Sequence, residues 1–380
     1  MSSKNKPEVP LHEPEEFEKT EESITLLFAG DIMAHSENYA MKDFSLIWKD
    51  VTSTVKNADL AFANNEAPVM DKKGWQTFPY FNMHSDYVQA EIDAGFNVFS
   101  LVNNHSNDQG KEGILSTRAT FASLAEKNST EERKIYFSGI KTPDNDGFDY
   151  VKIEKNGFSI LFLAVTEILN QNSYKSYLNF VYPGEDGIKK LSNFIKTVRE
   201  KEMPDLFVLS FHSAEEEYVR KVSEARRKQY RTYLSSGADI VWANHPHVVR
   251  ERELYGIKDS GVIEKIVFYG NGNTISGQRR NPQYKSPYTE RDYTGDGLLF
   301  EVKIVRQKNA NDDKDAICAI TETKPHYITT YIDKNRNFVL KNLNDAFIQS
   351  LEDEGQTLKA SYFRERKKIT ESTKEHIIWQ

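Results

Sequence analysis

One cysteine, Cys318, stands in a chain of 380 residues, and that scarcity excludes an intramolecular disulfide and any cysteine cluster for metal. No apolar run approaches the roughly 18 residues a membrane-spanning helix needs. Positive charge is not in excess either: 50 Lys and Arg stand against 57 Asp and Glu, for a net charge of −7 and a pI near 5.8. Nucleic acid is therefore not an expected partner. The glycine-rich stretch Gly270-Asn271-Gly272-Asn273 lacks the spacing and the lysine of a P-loop, which removes the simplest case for nucleotide binding. What the chain has is 38% hydrophobic residues, enough at this length for one large core or a core plus a small appended domain.

Residues 1–22 are rich in Pro, Glu, Lys and Ser and read as a disordered leader or tether. They lack the basic start and apolar stretch of a signal peptide, as in a cytoplasmic protein; a chain trimmed of its export signal would look the same. From residue 23 strand-like runs alternate with helical segments, the pattern of an α/β domain. The spacing predicts helices over 86–94, 110–127, 184–201 and 214–235, the last opening on Glu215-Glu216-Glu217, whose charge would suit a helix N-terminus. Further strands are expected at 135–137, 150–154, 158–165 and 265–269, and Lys155-Asn156-Gly157 is a hairpin turn signal. Beyond residue 298 the expectation is a strand over 299–305, a polar loop over 307–314, a returning strand over 317–323, another over 327–332 and a charged helical tail over 343–380. Residues 306–380 are thus read as an extension packed on a main domain of residues 23–305.

Five short polar motifs follow apolar runs with strand character. They are Gly30-Asp31 with His35, Asn64-Asn65-Glu66, Asn103-Asn104-His105, His212, and Asn244-His245-Pro246-His247. Carboxylate, amide oxygen and imidazole are the ligands that hard and borderline divalent ions accept, and a ligand at the end of a buried strand sits on a rigid support. Each motif also has a plainer explanation. Asp31 alone suits a helix cap, Asn65-Glu66 before Pro68 suits a turn, and His105 and His212 suit satisfied core histidines. Asp108 suits a helix cap or a support for His105. The plain readings together require five independent coincidences; a two-metal site requires one cause.

Taken in order, Ala29-Gly30-Asp31-Ile32-Met33, Asn65-Glu66-Ala67-Pro68, Asn103-Asn104-His105 with Asp108 and Gly110, His212 with Glu217-Tyr218, His245-Pro246-His247-Val248 and Phe268-Tyr269-Gly270-Asn271-Gly272-Asn273 resemble the bacterial capsule-synthesis family. These are the CapA-like proteins associated with poly-γ-glutamate, and the resemblance spans roughly residues 24–305. It implies a fold similar to that of calcineurin-like metallophosphoesterases, a four-layer α/β/β/α sandwich. It also implies two divalent ions, with Asp31 on the first, Glu66 bridging, Asn104, His212 and His245 on the second, and His247 returning to the first. His105 would stand beside them to protonate a leaving oxygen or stabilise charge, with Asp108 in support. Where the phosphoesterases carry a histidine two residues after the first aspartate, this chain has Met33; His35 lies four residues on and is a further candidate ligand. Asn65, Asn273 and Arg279 are candidate substrate contacts. Mn, Fe or Zn suits so many imidazoles better than Mg does.

Three functions follow as expectations. One is a hydrolase or transferase acting on a phosphodiester or amide bond of an envelope polymer. The second is a non-catalytic polymer-binding or assembly component working with membrane-bound capsule-synthesis subunits, and the third is an intracellular metallophosphoesterase. The first two place the protein at the cell envelope or outside the cell, tethered through a signal absent from the sequence as given; the third places it in the cytoplasm.

Overall fold

Alternation along the strands builds two facing sheets. In this computed structural model residues 22–142, 144–145, 147–309 and 312–380 are described, without the side chains of 307–309 and 312–316; nearly all of the expected leader lies outside them. The strands are β1 (Ser23–Ile32), β2 (Leu60–Asn65), β3 (Val98–Ser100), β4 (Tyr136–Ser138), β5 (Val151–Lys155), β6 (Phe158–Thr166), β7 (Leu206–His212), β8 (Ile240–Asn244), β9 (Arg252–Ile257), β10 (Val262–Phe268), β11 (Asn273–Ile275), β12 (Asp296–Asn309), β13 (Asp312–Ile332), β14 (Phe338–Asn342) and β15 (Glu375–Trp379). The first sheet has the order β14-β13-β12-β1-β2-β3-β4, with the short β11 pairing with β1; the second has the order β15-β9-β10-β8-β7-β6-β5. β1 to β4 run parallel to one another, as do β6, β7, β8 and β10.

Strands buried on both faces read as continuous apolar runs, and residue parity decides which layer each side chain enters. From β6, β7 and β8, Phe162, Ala164, Val208, Ile240 and Trp242 enter the core between the sheets. Their neighbours Leu161, Leu163, Phe207, Leu209 and Val241 pack on the other side with Leu191, Ile195, Tyr230 and Tyr233 of the helices Glu185–Glu202 and Glu224–Ser235. Helices Ser85–Ala94 and Gly110–Asn128 contribute Val88, Ile114 and Phe121 to the core of the first sheet. The result is the four-layer α/β/β/α sandwich expected from the sequence.

Aromatic rings join the sheets. Phe28 and Phe62 of the first sheet stack at 4.6 Å; across the interface Phe62 meets Phe162 at 5.4 Å and Phe28 meets Phe268 at 5.1 Å. Phe62 is fully buried, and truncating such a ring to alanine costs about 3–5 kcal/mol.

The helices near 86–94, 110–127 and 184–201 form within a residue or two of expectation. Asn156 and Gly157 both take positive φ at the β5–β6 hairpin, as that turn requires. Three expectations are corrected. The helix expected over 214–235 begins only at Glu224, where the Ser223 side chain accepts from Arg226 N, so the triple glutamate lies in a loop. The polar loop expected over 307–314 is instead a continuation of the β12–β13 hairpin through Asn309 and from Asp312; residues 310–311 lie outside the described ones. The tail is not helical throughout. Helices Asp345–Asp353 and Thr357–Glu371 are followed by β15, which pairs with β9 and closes an edge of the second sheet.

Candidate metal centre

Asp31 lies near the end of β1, Glu66 just past β2, Asn104 and His105 past β3, His212 at the end of β7, and His245 and His247 past β8. The two sheets thus deliver carboxylates from one side and imidazoles from the other. Close backbone approach makes this possible. A Cβ on Gly30 would sit 1.8 Å from the Gly272 carbonyl oxygen, and that same oxygen accepts from Asp31 N at 3.0 Å. Gly272 itself has φ 70°, a left-handed conformation glycine takes without penalty. Asp31 therefore does not cap a helix; the short helix after β1 starts at Ser36, with His35 in the capping position.

Glu66 is the centre of the cluster. Its Oε1 is buried and has no hydrogen-bond partner, and it lies 3.7 Å from Nε2 of His212 and 3.7 Å from Nε2 of His247. Among the described residues, two groups of three place one potential ligand atom each within 4.8 Å of one another: Glu66 with His245 and His247, and Asp31 with Glu66 and His212. Glu66 belongs to both. All five side chains are buried.

The surrounding hydrogen bonds orient the ligands. The Asn64 amide donates to Asp31 Oδ1 at 2.8 Å and reaches Glu66 Oε2 at 3.3 Å. His247 Nδ1 lies 3.1 Å from Asp31 Oδ2 and 2.9 Å from Asn273 Oδ1, so a proton on Nδ1 leaves Nε2 free toward Glu66. His212 Nε2 lies 3.0 Å from Asn104 Oδ1, which brings the amide oxygen of Asn104 to the cluster. Partners of this kind fix imidazole tautomer and direction at metal sites. His245 and His247 adopt φ values of 101° and 59° on either side of Pro246, conformations that cost a non-glycine residue of order 1–3 kcal/mol and concentrate at functional sites.

The electrostatics are those of a site built for added positive charge. Burial, then the charge of Asp31, pushes the Glu66 carboxyl well above its usual value. Burial, then neighbouring imidazoles, holds His212 well below its usual value and His245 down at about 4. His247 is raised: burial opposes its charge, but the Asp31 hydrogen bond and charge outweigh it. Two carboxylates, an amide oxygen, two imidazoles held neutral and a third, His247, bonded to Asp31, with Glu66 Oε1 and His245 Nδ1 unpaired, fit a divalent cation or a pair of them.

A crevice of about 890 Å³ opens onto this cluster, lined among others by His247, His105, His35, Phe81, Glu217, Tyr218, Gln278, Arg280 and Arg291. His105 Nδ1 lies 2.7 Å from Asp108 Oδ2, whose carboxylate also accepts from Phe81 N at 2.8 Å. Asp108 thus supports His105; the helix cap position is Gln109. His35 lines the crevice against the edge of Phe81 but belongs to neither ligand group. Burial, chiefly, lowers its pKa to about 3.

None of the three expected substrate contacts is among the residues lining this crevice. Asn65 turns its amide to Ala67 O at 2.9 Å, and Asn273 holds His247. Arg279 is buried, donating to Asp296 Oδ1 at 2.7 Å and to Thr329 and Thr330, while its neighbour Arg280 reaches the crevice. Sequence reasoning gave no crevice role to Glu217, Tyr218 or Arg291. Local sequence gave no signal for the later start, because Ser213-Ala214-Glu215-Glu216 has capping-box spacing; Ser223 nonetheless caps the helix that forms and leaves 214–222 as a loop.

Residues 25–278 match the sequence profile of the family described as "Bacterial capsule synthesis protein PGA_cap". The chain belongs to this family. It is 26% identical over 356 residues to the capsule biosynthesis protein CapA of Bacillus anthracis, covering 90% of this chain and 79% of that one. It is 24% identical over 335 residues to the PGA biosynthesis protein CapA of Bacillus subtilis (strain 168), covering 85% and 81%. The crystal structure of a hypothetical protein from Thermus thermophilus aligns with 80% of this chain and 98% of its own at 16% identity, with a TM-score of 0.43, too low to carry a structural inference. Every ligand candidate named above falls within the matched residues.

Proposed function

We propose that this member of the PGA_cap family is a metal-dependent hydrolase or transferase acting on an amide or phosphodiester bond of an anionic envelope polymer, with poly-γ-glutamate the first candidate. The carrying observation is the unpaired Glu66 Oε1 at equal distance from two imidazole Nε2 atoms beneath an open crevice. Asp31, Glu66, His212, His245 and His247, with the Asn104 amide oxygen beside His212, would hold one divalent ion or two around the shared Glu66, with Mn, Fe or Zn suited to the donor set. Ions held there supply Lewis acidity toward a carbonyl or phosphoryl oxygen. His105, held through Nδ1 by Asp108, presents its other ring nitrogen for proton transfer to a leaving atom. The relatives' names, capsule and PGA biosynthesis, support action at the cell envelope; membrane-bound synthesis subunits are part of the proposal as its partners. No helix among the described residues is long and apolar enough to cross a membrane.

Elemental mass spectrometry of protein purified without chelator tests the reading. Close to two transition ions per chain are expected, falling in His247→Ala, together with hydrolysis of a γ-glutamyl or phosphodiester substrate that His105→Ala abolishes while metal is retained. Absence of metal after reconstitution with Mn, Fe and Zn would overturn the enzyme reading and leave an assembly role.

A further inference from the structure

The crevice carries charges of both signs that the ligand cluster does not use. Arg280 and Arg291 line it from the segment between β11 and β12, both exposed. Arg280 meets Glu37 at 3.3 Å, and the guanidinium of Arg291 lies 4.5 Å from the centre of the Tyr218 ring. The loop after β7 brings Glu217 and Tyr218 to the same crevice. The Glu217 carboxylate is close enough to His247, His245 and His105 to interact with all three, and the Tyr218 hydroxyl makes contact with both Glu217 and Arg291.

This loop is built rather than incidental. Tyr218 has φ 66°, and its N–H donates to Pro246 O at 2.9 Å, pinning it to the turn that presents His245 and His247. Behind it the buried Arg250 donates to Val219 O at 2.7 Å and to Glu215 Oε2 at 2.6 Å. The backbone around Glu217 is thus fixed beside the turn that carries His245 and His247, in the crevice that the arginines also line.

Two arginines favour an anionic ligand, and a carboxylate beside the metals opposes one. At 4 Å a like-charge contact costs about 1 to 4 kcal/mol between the dielectric of water and that near a protein surface. An interior unit of a polyanion therefore satisfies the arginines and offends Glu217. A unit with an ammonium next to a carboxylate satisfies both. Building on the metal-site reading above, we propose that the crevice recognises the free amino end of an acidic chain, with Glu217 taking the ammonium and Arg291, assisted by Arg280, the adjacent carboxylate. The protein then works at a chain terminus and not within the polymer.

Calorimetric titration of the Mn-reconstituted full chain with tri-γ-glutamate and with its N-acetylated form tests this, with metal stoichiometry measured on the same sample. N-acetylation removes the ammonium and is expected to weaken binding about ten- to a hundredfold, the range for losing a charge-assisted hydrogen bond. Glu217→Gln should bind the two peptides alike, Glu217→Asp should restore part of the preference, and Arg291→Gln should weaken both. Equal binding of the two peptides by the unsubstituted protein, a preference that survives in Glu217→Gln, or no binding of either peptide overturns the inference. Metal stoichiometry reports separately on the centre itself.

Discussion

Trp242 Nε1 donates to the Ala29 carbonyl at 2.8 Å, from one sheet to the other. Ala29 is two residues before Asp31, and Trp242 is three before His245. The bond therefore fixes the strand that carries a carboxylate ligand against the strand that carries two imidazoles, with both partners buried. Trp242→Phe keeps most of the packing and removes the donor. Loss of about 1–3 kcal/mol is expected, read as a lower urea midpoint with unchanged slope, together with weaker metal retention on dialysis.

Gly30 makes a sharper case. Its missing side chain lets the Gly272 carbonyl oxygen reach Asp31 N, and the clash of an added Cβ is with backbone, which cannot rotate aside. Gly30→Ala is expected to destabilise by more than about 3 kcal/mol or to prevent soluble expression. Gly74→Ala, where a Cβ meets nothing within 4 Å, serves as the control and should leave the melting temperature nearly unchanged.

These glycines show what the sequence could and could not disclose. Gly30-Asp31 and Gly270-Asn271-Gly272-Asn273 are visible as motifs, and the apolar runs before Asp31, Glu66, His212 and His245 point to the strand ends where these residues lie, because strands buried on both faces leave a continuous apolar trace. Contact between Gly30 and Gly272, so distant along the chain, leaves no such trace. Nor does local sequence reveal that Arg279 turns inward to Asp296 while Arg280 turns outward, since a one-residue difference in direction is set by tertiary packing. Glu217 is a related case: three glutamates resemble a helix start, but the salt bridges of Glu215 to Arg250 and Arg226, with the Tyr218 N–H bond to Pro246 O, hold the segment as a loop.

Asp108 gives a test of the crevice that leaves the ligand cluster intact. Its Oδ2 lies 2.7 Å from His105 Nδ1, which fixes the ring direction. Asp108→Asn should retain full metal content while turnover, once a substrate is in hand, falls about 10²- to 10⁴-fold, the usual contribution of a positioned acid or base. Loss of metal in this variant would show that Asp108 supports the ligands instead.

In chelator-treated protein the buried histidines set the acid limit. His35 and His245 have folded-state pKa values of about 3 and about 4, below the ordinary imidazole value, chiefly through burial. A depressed folded pKa means the unfolded chain binds the proton first, so their contribution to stability is complete above about pH 6.5 and is lost as pH falls toward those values. Near pH 5 the two together give a slope of up to about 2.7 kcal/mol per pH unit. His247, raised, acts in the opposite sense, losing stability as pH rises through its folded value. His35→Phe removes one titrating group while keeping an aromatic edge against Phe81. Its urea-denaturation stability should fall less steeply between about pH 6 and pH 4, by about one proton's worth; an unchanged slope would mean that His35 is not held neutral.

Glu66→Gln separates the cost of the centre from its use. The buried carboxylate, raised by burial and by Asp31, burdens the metal-free fold at neutral pH, because a carboxyl with a raised folded pKa stabilises fully only below its unfolded value and that contribution is lost as pH rises through the folded one. Replacing it with a neutral amide of similar shape should leave the chelated protein as stable as the unsubstituted chain at about pH 7.5, or more so. The gain on adding metal should vanish: at about a hundredfold excess over Kd one bound ion stabilises the unsubstituted chain by about 2.7 kcal/mol, read as an upward shift in melting temperature. A Glu66→Gln protein that kept the full metal-induced shift would show that the shared oxygen between His212 and His247 is not a ligand.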